Sequence, residues 1–202
     1  MPLFYQHIVN EHTKLAVWYI REEDRFFLEK VPLQREVSHP HKKLQHLAAR
    51  YLLEILQPGF PFHLIEITDS RKPLLSSKEF HFSVSHCGDY AAAIVSDIHC
   101  VGIDVELITP RVERVKNKFL SDRELTLSPE SGNRFLTLCW SAKEAIYKWY
   151  GKGRVDFKSN IILDRLSRQN NQGLLEAHFE KGKRTDLKVE YRFFENLCVA
   201  WV

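Results

Sequence analysis

Apolar residues recur at helical spacing twice along the chain. Leu44, Leu47, Ala48, Tyr51 and Ile55 make one stripe, with Lys43, His46 and Arg50 on another face. This predicts a helix over about 40–57, ended by the proline and glycine of "QPGFP". Phe135, Cys139, Ala142, Ile146 and Trp149 repeat the pattern and predict a longer helix over about 132–150, closed by "GKG". On that helix Ser141, Glu144 and Lys148 fall on the opposite side. Between and after the helices the pattern is that of strands. They are expected near 14–20 and 25–30, in the extended "FHLIEITD", and in a hairpin of "FHFSVSH" and "YAAAIVSD" joined at "CGD".

The second half repeats this plan. A strand over 101–108 leads to a short helix or turn at 121–127 and then to the long helix. "SNIILDRL" is extended, and "KVEYRFF" with "LCVAWV" closes the chain as strand, turn and strand. The order of elements predicts an α+β protein of two similar lobes, 1–98 and 99–202, each a helix with an antiparallel sheet. A ligand is expected in a central cleft between them.

Composition narrows the function. The 202 residues are 44% hydrophobic and 27% charged, with a net charge of +3. That is the balance of an ordinary soluble protein, and the charge is too small to argue for nucleic acid or membrane binding. "MPLFYQHIVNEHTK" lacks the basic start and apolar core of a signal peptide, and no apolar run approaches the roughly 18 residues that span a bilayer. Cys87, Cys100, Cys139 and Cys198 form no CxxC pair and read mostly as buried reduced thiols, so a cytoplasmic location is expected. The ten histidines include no HExxH, and those of "SHPHKKLQH" read as surface residues rather than zinc ligands. Walker and GxGxxG patterns are missing from the sequence.

The candidate chemistry begins at "VGIDVELI", where Asp104 and Glu106 sit two apart in an apolar strand. They share one face, while Ile103, Val105 and Leu107 face the core. Either that face is solvated, or the pair holds a hard cation such as Mg²⁺ together with phosphate and water oxygens. Glu144 and Lys148 are either an exposed i,i+4 pair or a third carboxylate and a phosphate-neutralising cation. Lys43 and Arg50, and the Arg71 and Lys72 of "SRKPL", are phosphate contacts or solvated surface. Ser85 and His86, adjacent on a strand, point to opposite faces, so they read as ligand contacts and not as a hydrolase pair.

"FSVSH", "GIDVE" and "WSAKEAIYK", in that order and spacing, resemble the 4′-phosphopantetheinyl transferases, most closely the single-chain, two-lobed type that activates surfactin synthetase. The resemblance runs from the first helix to Gly153. It implies transfer of the phosphopantetheine arm of coenzyme A to a serine of an acyl or peptidyl carrier protein, releasing adenosine 3′,5′-bisphosphate. It also implies Mg²⁺, or Mn²⁺, held by Asp104, Glu106 and Glu144, with most of the metal site in the C-terminal lobe. Lys148 would neutralise the pyrophosphate, Ser85 and His86 would contact the nucleotide phosphates, and Lys72 would carry over from the family's "GKP", whose glycine is Arg71 here. Lys43 and Arg50 match the basic residues that contact the 3′-phosphate. Glu124 in "FLSDREL" resembles the glutamate of "FxxxE", with a metal-site or acid/base role. The basic "PRVERVKNKF" would face the acidic carrier, and the molecule would be a monomer. Two other classes stay open: a Mg²⁺-dependent hydrolase of nucleotide pyrophosphates, and a non-catalytic carrier-binding module.

Overall fold

A computed structural model describes residues 3–33, 36–68, 72–77, 79–128 and 132–202. Arg71 lies outside the described residues. The chain divides into two compact units, Met1–Val101 and Gly102–Val202. It is a mixed α/β protein whose strands pair antiparallel throughout the described sheets.

The first unit contains β1 (Leu3–Ile8), β2 (Thr13–Tyr19), α1 (Asp24–Leu28), α2 (Pro40–Leu56), β3 (Ile65–Ile67), β4 (Pro73–Leu75), β5 (His81–Cys87) and β6 (Tyr90–Ser96). Four strands form one sheet in the order β1-β2-β6-β5, and β3 pairs with β4 separately. α2 starts at His39, whose side chain accepts from the Lys42 amide, with Pro40 in its first turn where a missing N–H costs nothing. Its Leu47, Ala48, Leu52, Leu53 and Leu56 are buried with Trp18, Phe27, Ala91 and Ala93 of the same unit. Each large apolar side chain buried this way contributes about 1.5–3 kcal/mol.

The segment 25–30, expected as a strand, is the short helix α1. Two adjacent phenylalanines explain the difference. Phe26 and Phe27 both pack on Tyr51, with ring centroids 5.7 and 6.0 Å away. Neighbours on a strand would point to opposite faces, whereas one helical step lets both reach the same ring. The expected extended "FHLIEITD" begins as a 3-10 turn, Phe62–Leu64, before β3.

The second unit contains β7 (Ile103–Leu107), α3 (Lys116–Phe119), α4 (Asp122–Leu125), α5 (Asn133–Tyr150), β8 (Ile161–Gln169), β9 (Gln172–Lys181), β10 (Lys183–Phe193) and β11 (Leu197–Trp201). Its sheet runs β7-β11-β10-β9-β8. β1 and β9 were not anticipated from the sequence. In β9, Leu175, Ala177 and Phe179 are buried and alternate with Glu176, His178 and Glu180. α5 covers one face of the sheet, burying Phe135, Leu136, Cys139, Ala142 and Ile146 against Leu163, Leu175, Val189 and Tyr191. It ends at Gly151, whose φ of +70° suits glycine and whose amide donates to the Tyr147 carbonyl.

Candidate functional site

β7 and α5 meet at unusually short range, and one glycine permits it. A Cβ added to Gly102 would stand 2.0 Å from the Ala145 carbonyl oxygen and 2.7 Å from the Trp149 nitrogen. The glycine of "GIDVE" therefore lets strand backbone touch helix backbone. It brings the strand's next two alternate residues, Asp104 and Glu106, under α5. In register they lie opposite Ala200 and Cys198 of β11, both members of the core beneath the helix. The acidic face is thus the helix-packed face and not a solvated one. Ile103 and Val105, on the other face, are fully buried as well.

Asp104 is 3% exposed. Its Oδ1 accepts from the Lys148 ammonium at 2.7 Å, and the same Nζ donates to the Ile103 carbonyl at 3.1 Å. Trp140 Nε1 donates to Glu106 Oε1 at 3.3 Å. Trp140, Glu144 and Lys148 are spaced by four, so one line of α5 faces the carboxylates of β7. Glu144 stands among them: its carboxyl is pushed up to about 7, chiefly by burial, then by the negative charge of Asp104, with Lys148 opposing and Glu106 adding to the rise. Ser141, expected on this open side, is instead fully buried.

Three carboxylates that repel one another in partly buried surroundings are a donor set suited to a hard cation. Among the described residues, no group of three or more His, Cys, Asp or Glu converges closely enough to enclose an ion by itself. Mg²⁺ ordinarily takes only one or two protein carboxylates and completes its shell with waters and phosphate oxygens. One or two of Asp104, Glu106 and Glu144 suffice for that smaller demand.

Glu124 has a different setting. It is the third residue of α4 and closes a capping box with Ser121. Its Oε2 accepts from the Ser121 amide at 2.7 Å and hydroxyl at 2.9 Å, and its Oε1 accepts from the Leu163 amide at 3.0 Å. Lys143 Nζ lies 2.7 Å from the same Oε1, and both side chains are 0% exposed. The ammonium also donates to the carbonyls of Phe157 and Ile161 at 2.8 and 2.7 Å. Burial pushes the Lys143 ammonium below its usual range, and Glu124 partly restores it. The pair ties α5 to α4, to β8 and to the segment before β8.

Sequence reasoning missed Lys143, Trp140 and Gly102. The signal for Lys143 was its place beside Ala142 and four residues after Cys139, on the stripe that reads as core. A lysine there needs a buried acid.

The remaining phosphate-contact candidates lie in the first unit. Lys43 Nζ is 2.6 Å from Asp24 Oδ2, and this hydrogen bond holds the Asp24 carboxyl below the usual range. Arg50 is buried, and its guanidinium donates to His46 Nδ1 at 3.0 Å. The Thr68 amide donates to the Lys72 carbonyl at 3.0 Å, and burial lowers the Lys72 ammonium. On β5, Ser85 is buried and His86 exposed, as alternation requires. In the basic segment, Arg111, Arg114 and Lys118 are exposed around a 3-10 turn, Pro110–Arg114, while Lys116 pairs with Glu113 at 2.5 Å.

Comparison with known proteins adds to this. A family model for the 4′-phosphopantetheinyl transferase superfamily matches residues 100–202. A relative, 4′-phosphopantetheinyl transferase psf-1 of Bacillus pumilus, is 35% identical over 109 residues, which make up 52% of this chain and 46% of the relative. The match thus spans about half of either chain. No helix among the described residues is long and apolar enough to cross a membrane.

Proposed function

The chain belongs to the 4′-phosphopantetheinyl transferase superfamily, and from that premise we propose that it transfers 4′-phosphopantetheine from coenzyme A to a serine hydroxyl of an apo acyl or peptidyl carrier protein. The observation that carries the proposal is the placement of Asp104 and Glu106 of β7 beneath Glu144 and Lys148 of α5, inside the segment the family model covers. In this reading the serine oxygen attacks the β-phosphorus of coenzyme A and the bond to the α-phosphate oxygen breaks. Adenosine 3′,5′-bisphosphate leaves as an anion.

Asp104, Glu106 and Glu144 would hold Mg²⁺, which supplies charge neutralisation and a template for the pyrophosphate when bound. The chain's own groups do the rest. Lys148, held by Asp104, presents positive charge to the phosphate oxygens. The serine proton passes to a carboxylate of this site, directly or through water. Glu124, with both oxygens engaged by Ser121, Leu163 and Lys143, is assigned here to fixing α5 and not to proton transfer. Lys43, Arg50, Lys72, Ser85 and His86 are proposed to contact the nucleotide phosphates. The exposed Arg111, Arg114 and Lys118, with Val115 36% exposed beside them, suit an acidic carrier protein. We read the protein as a cytoplasmic monomer that engages neither nucleic acid nor membrane.

Intact-mass spectrometry of an apo carrier protein incubated with this protein, coenzyme A and Mg²⁺ tests the reading. The carrier should gain one phosphopantetheine arm, and the gain should vanish with EDTA and in Asp104→Ala or Glu144→Ala with the fold intact. Normal turnover by either variant would sink the metal assignment. Breakdown of coenzyme A without a carrier would indicate a hydrolase. Binding of coenzyme A with neither event would indicate a non-catalytic module.

A further inference from the structure

The second unit contains a cavity of about 70 Å³ at the opposite end of α5 from Lys148. Phe135 and Leu138 of the helix and Phe193 of β10 supply apolar walls, Tyr191 lies at the floor, and Arg134 and Arg168 supply the charge. No acidic residue is among the described residues lining it. Ten residues separate Arg134 from Glu144, about 15 Å along a helix, so this is not the carboxylate site.

Arg134 is the decisive group. One Nη2 hydrogen bond to Asn171 Oδ1, at 2.8 Å, and a stack 4.2 Å from the Phe193 centroid hold the guanidinium in place. Its Nε is buried and meets no acceptor among the described residues. A buried N–H without an acceptor is costly, and a guanidinium with most of its five donors uncommitted among the described residues is a fixed fork for an oxyanion. Arg168 donates its Nε to the Asn170 carbonyl at 3.0 Å, and the Tyr191 hydroxyl donates to the Ser167 carbonyl at 3.3 Å. Burial raises the Tyr191 phenol, while both arginines pull it back, so both charges are felt at the floor. α5 begins above at Gly132 with no side-chain cap and no acid in its first turn, which adds positive potential at the same end.

We propose that this cavity is a second ligand site that takes a carboxylate on a short apolar stem. The guanidinium fork receives the two oxygens, and Phe135, Leu138 and Phe193 receive the stem. The stem can come from a free short-chain acid or from a glutamate side chain of another protein, which present the same chemistry.

Titration of the full ¹⁵N-labelled chain with sodium butyrate, against sodium chloride at equal ionic strength, tests the site. The amides of 133–135 and the Arg134 Nε–H should shift saturably with a millimolar Kd. Arg134→Gln and Arg168→Gln together should raise that Kd at least tenfold while leaving the other resonances in place. Inorganic phosphate should bind at least several-fold more weakly. A blocked Leu-Glu-Leu tripeptide, run in parallel, separates the sources: tighter binding than butyrate assigns the site to a protein side chain, weaker binding to a free acid. Lack of a saturable shift in the wild-type chain up to about 50 mM butyrate overturns the proposal, whatever the variants' folding. So does saturation that survives both substitutions, or phosphate binding as tightly as butyrate.

Discussion

Replacing Lys143 by Met removes the ammonium that faces Glu124 and leaves the shape of the side chain nearly unchanged. All three ammonium donors are in use, on Glu124 Oε1, Phe157 O and Ile161 O. Among the described residues the variant therefore keeps a fully buried carboxylate with only the Ser121 and Leu163 donors, and it leaves two carbonyls without their ammonium. Removing one partner of a buried ion pair costs about 3–5 kcal/mol, because the remaining charge is uncompensated. In a chain of this size about 1 kcal/mol moves the melting midpoint by about 2–4 °C, so a drop of roughly 6–20 °C is expected. The assay is urea unfolding followed by tryptophan fluorescence, in which Trp140, Trp149 and Trp201 report on the second unit. A double-mutant cycle with Glu124→Met completes it. The double variant buries no charge, so it should be no less stable than either single one, with a coupling at least as large as the larger single effect, about 3–5 kcal/mol. A Lys143→Met midpoint within about 1 kcal/mol of wild type, or additive single effects, would refute the reasoning. Glu124→Gln gives the catalytic counterpart: it should lose stability and keep most turnover. A hundredfold loss of turnover at an unchanged urea midpoint would return a proton-transfer role to Glu124.

Gly102→Ala drives a methyl into the Ala145 carbonyl, which is backbone and cannot swing aside; a loss of about 1–3 kcal/mol is expected with a larger fall in transfer rate, since β7 and α5 must part where the carboxylates meet. Wild-type stability and activity in this variant, by urea unfolding and carrier-mass assay, would contradict the close approach. Glu144 predicts a pH effect on stability. Its carboxyl is raised from 4.5 to about 7 in the folded chain, so the folded state holds more protons in that window. Stability contributed by the protonated acid is full below about pH 4.5 and is lost as pH rises through about 7. Discounted for partial exposure, the loss is about 1–2 kcal/mol in EDTA. Melting curves across this range should show the slope in wild type, its loss in Glu144→Gln, and, when Mg²⁺ is added to the wild type, recovery of the stability lost above pH 7; equal slopes in wild type and variant in EDTA would refute it.

Local signals in the sequence carried the two long helices, the β5–β6 hairpin and the acids of "GIDVE". Each of these depends on neighbours within a few residues: apolar spacing for α2 and α5, a two-residue turn at Gly88 and Asp89, alternation along β7. Those signals fall short where adjacent residues must reach a common distant partner, as Phe26 and Phe27 reach Tyr51, and propensity alone then suggests a strand. Whether Asp104 and Glu106 faced water or a helix was also open in the sequence, because alternation says only that they share a face. The packing of Gly102 on Ala145 decided it. Lys143 and Glu124, about twenty residues apart, show the same limit most clearly: each is an ordinary charged residue alone, and only the closure of α5 over α4 and β8 removes both from water and makes each the other's condition for being there.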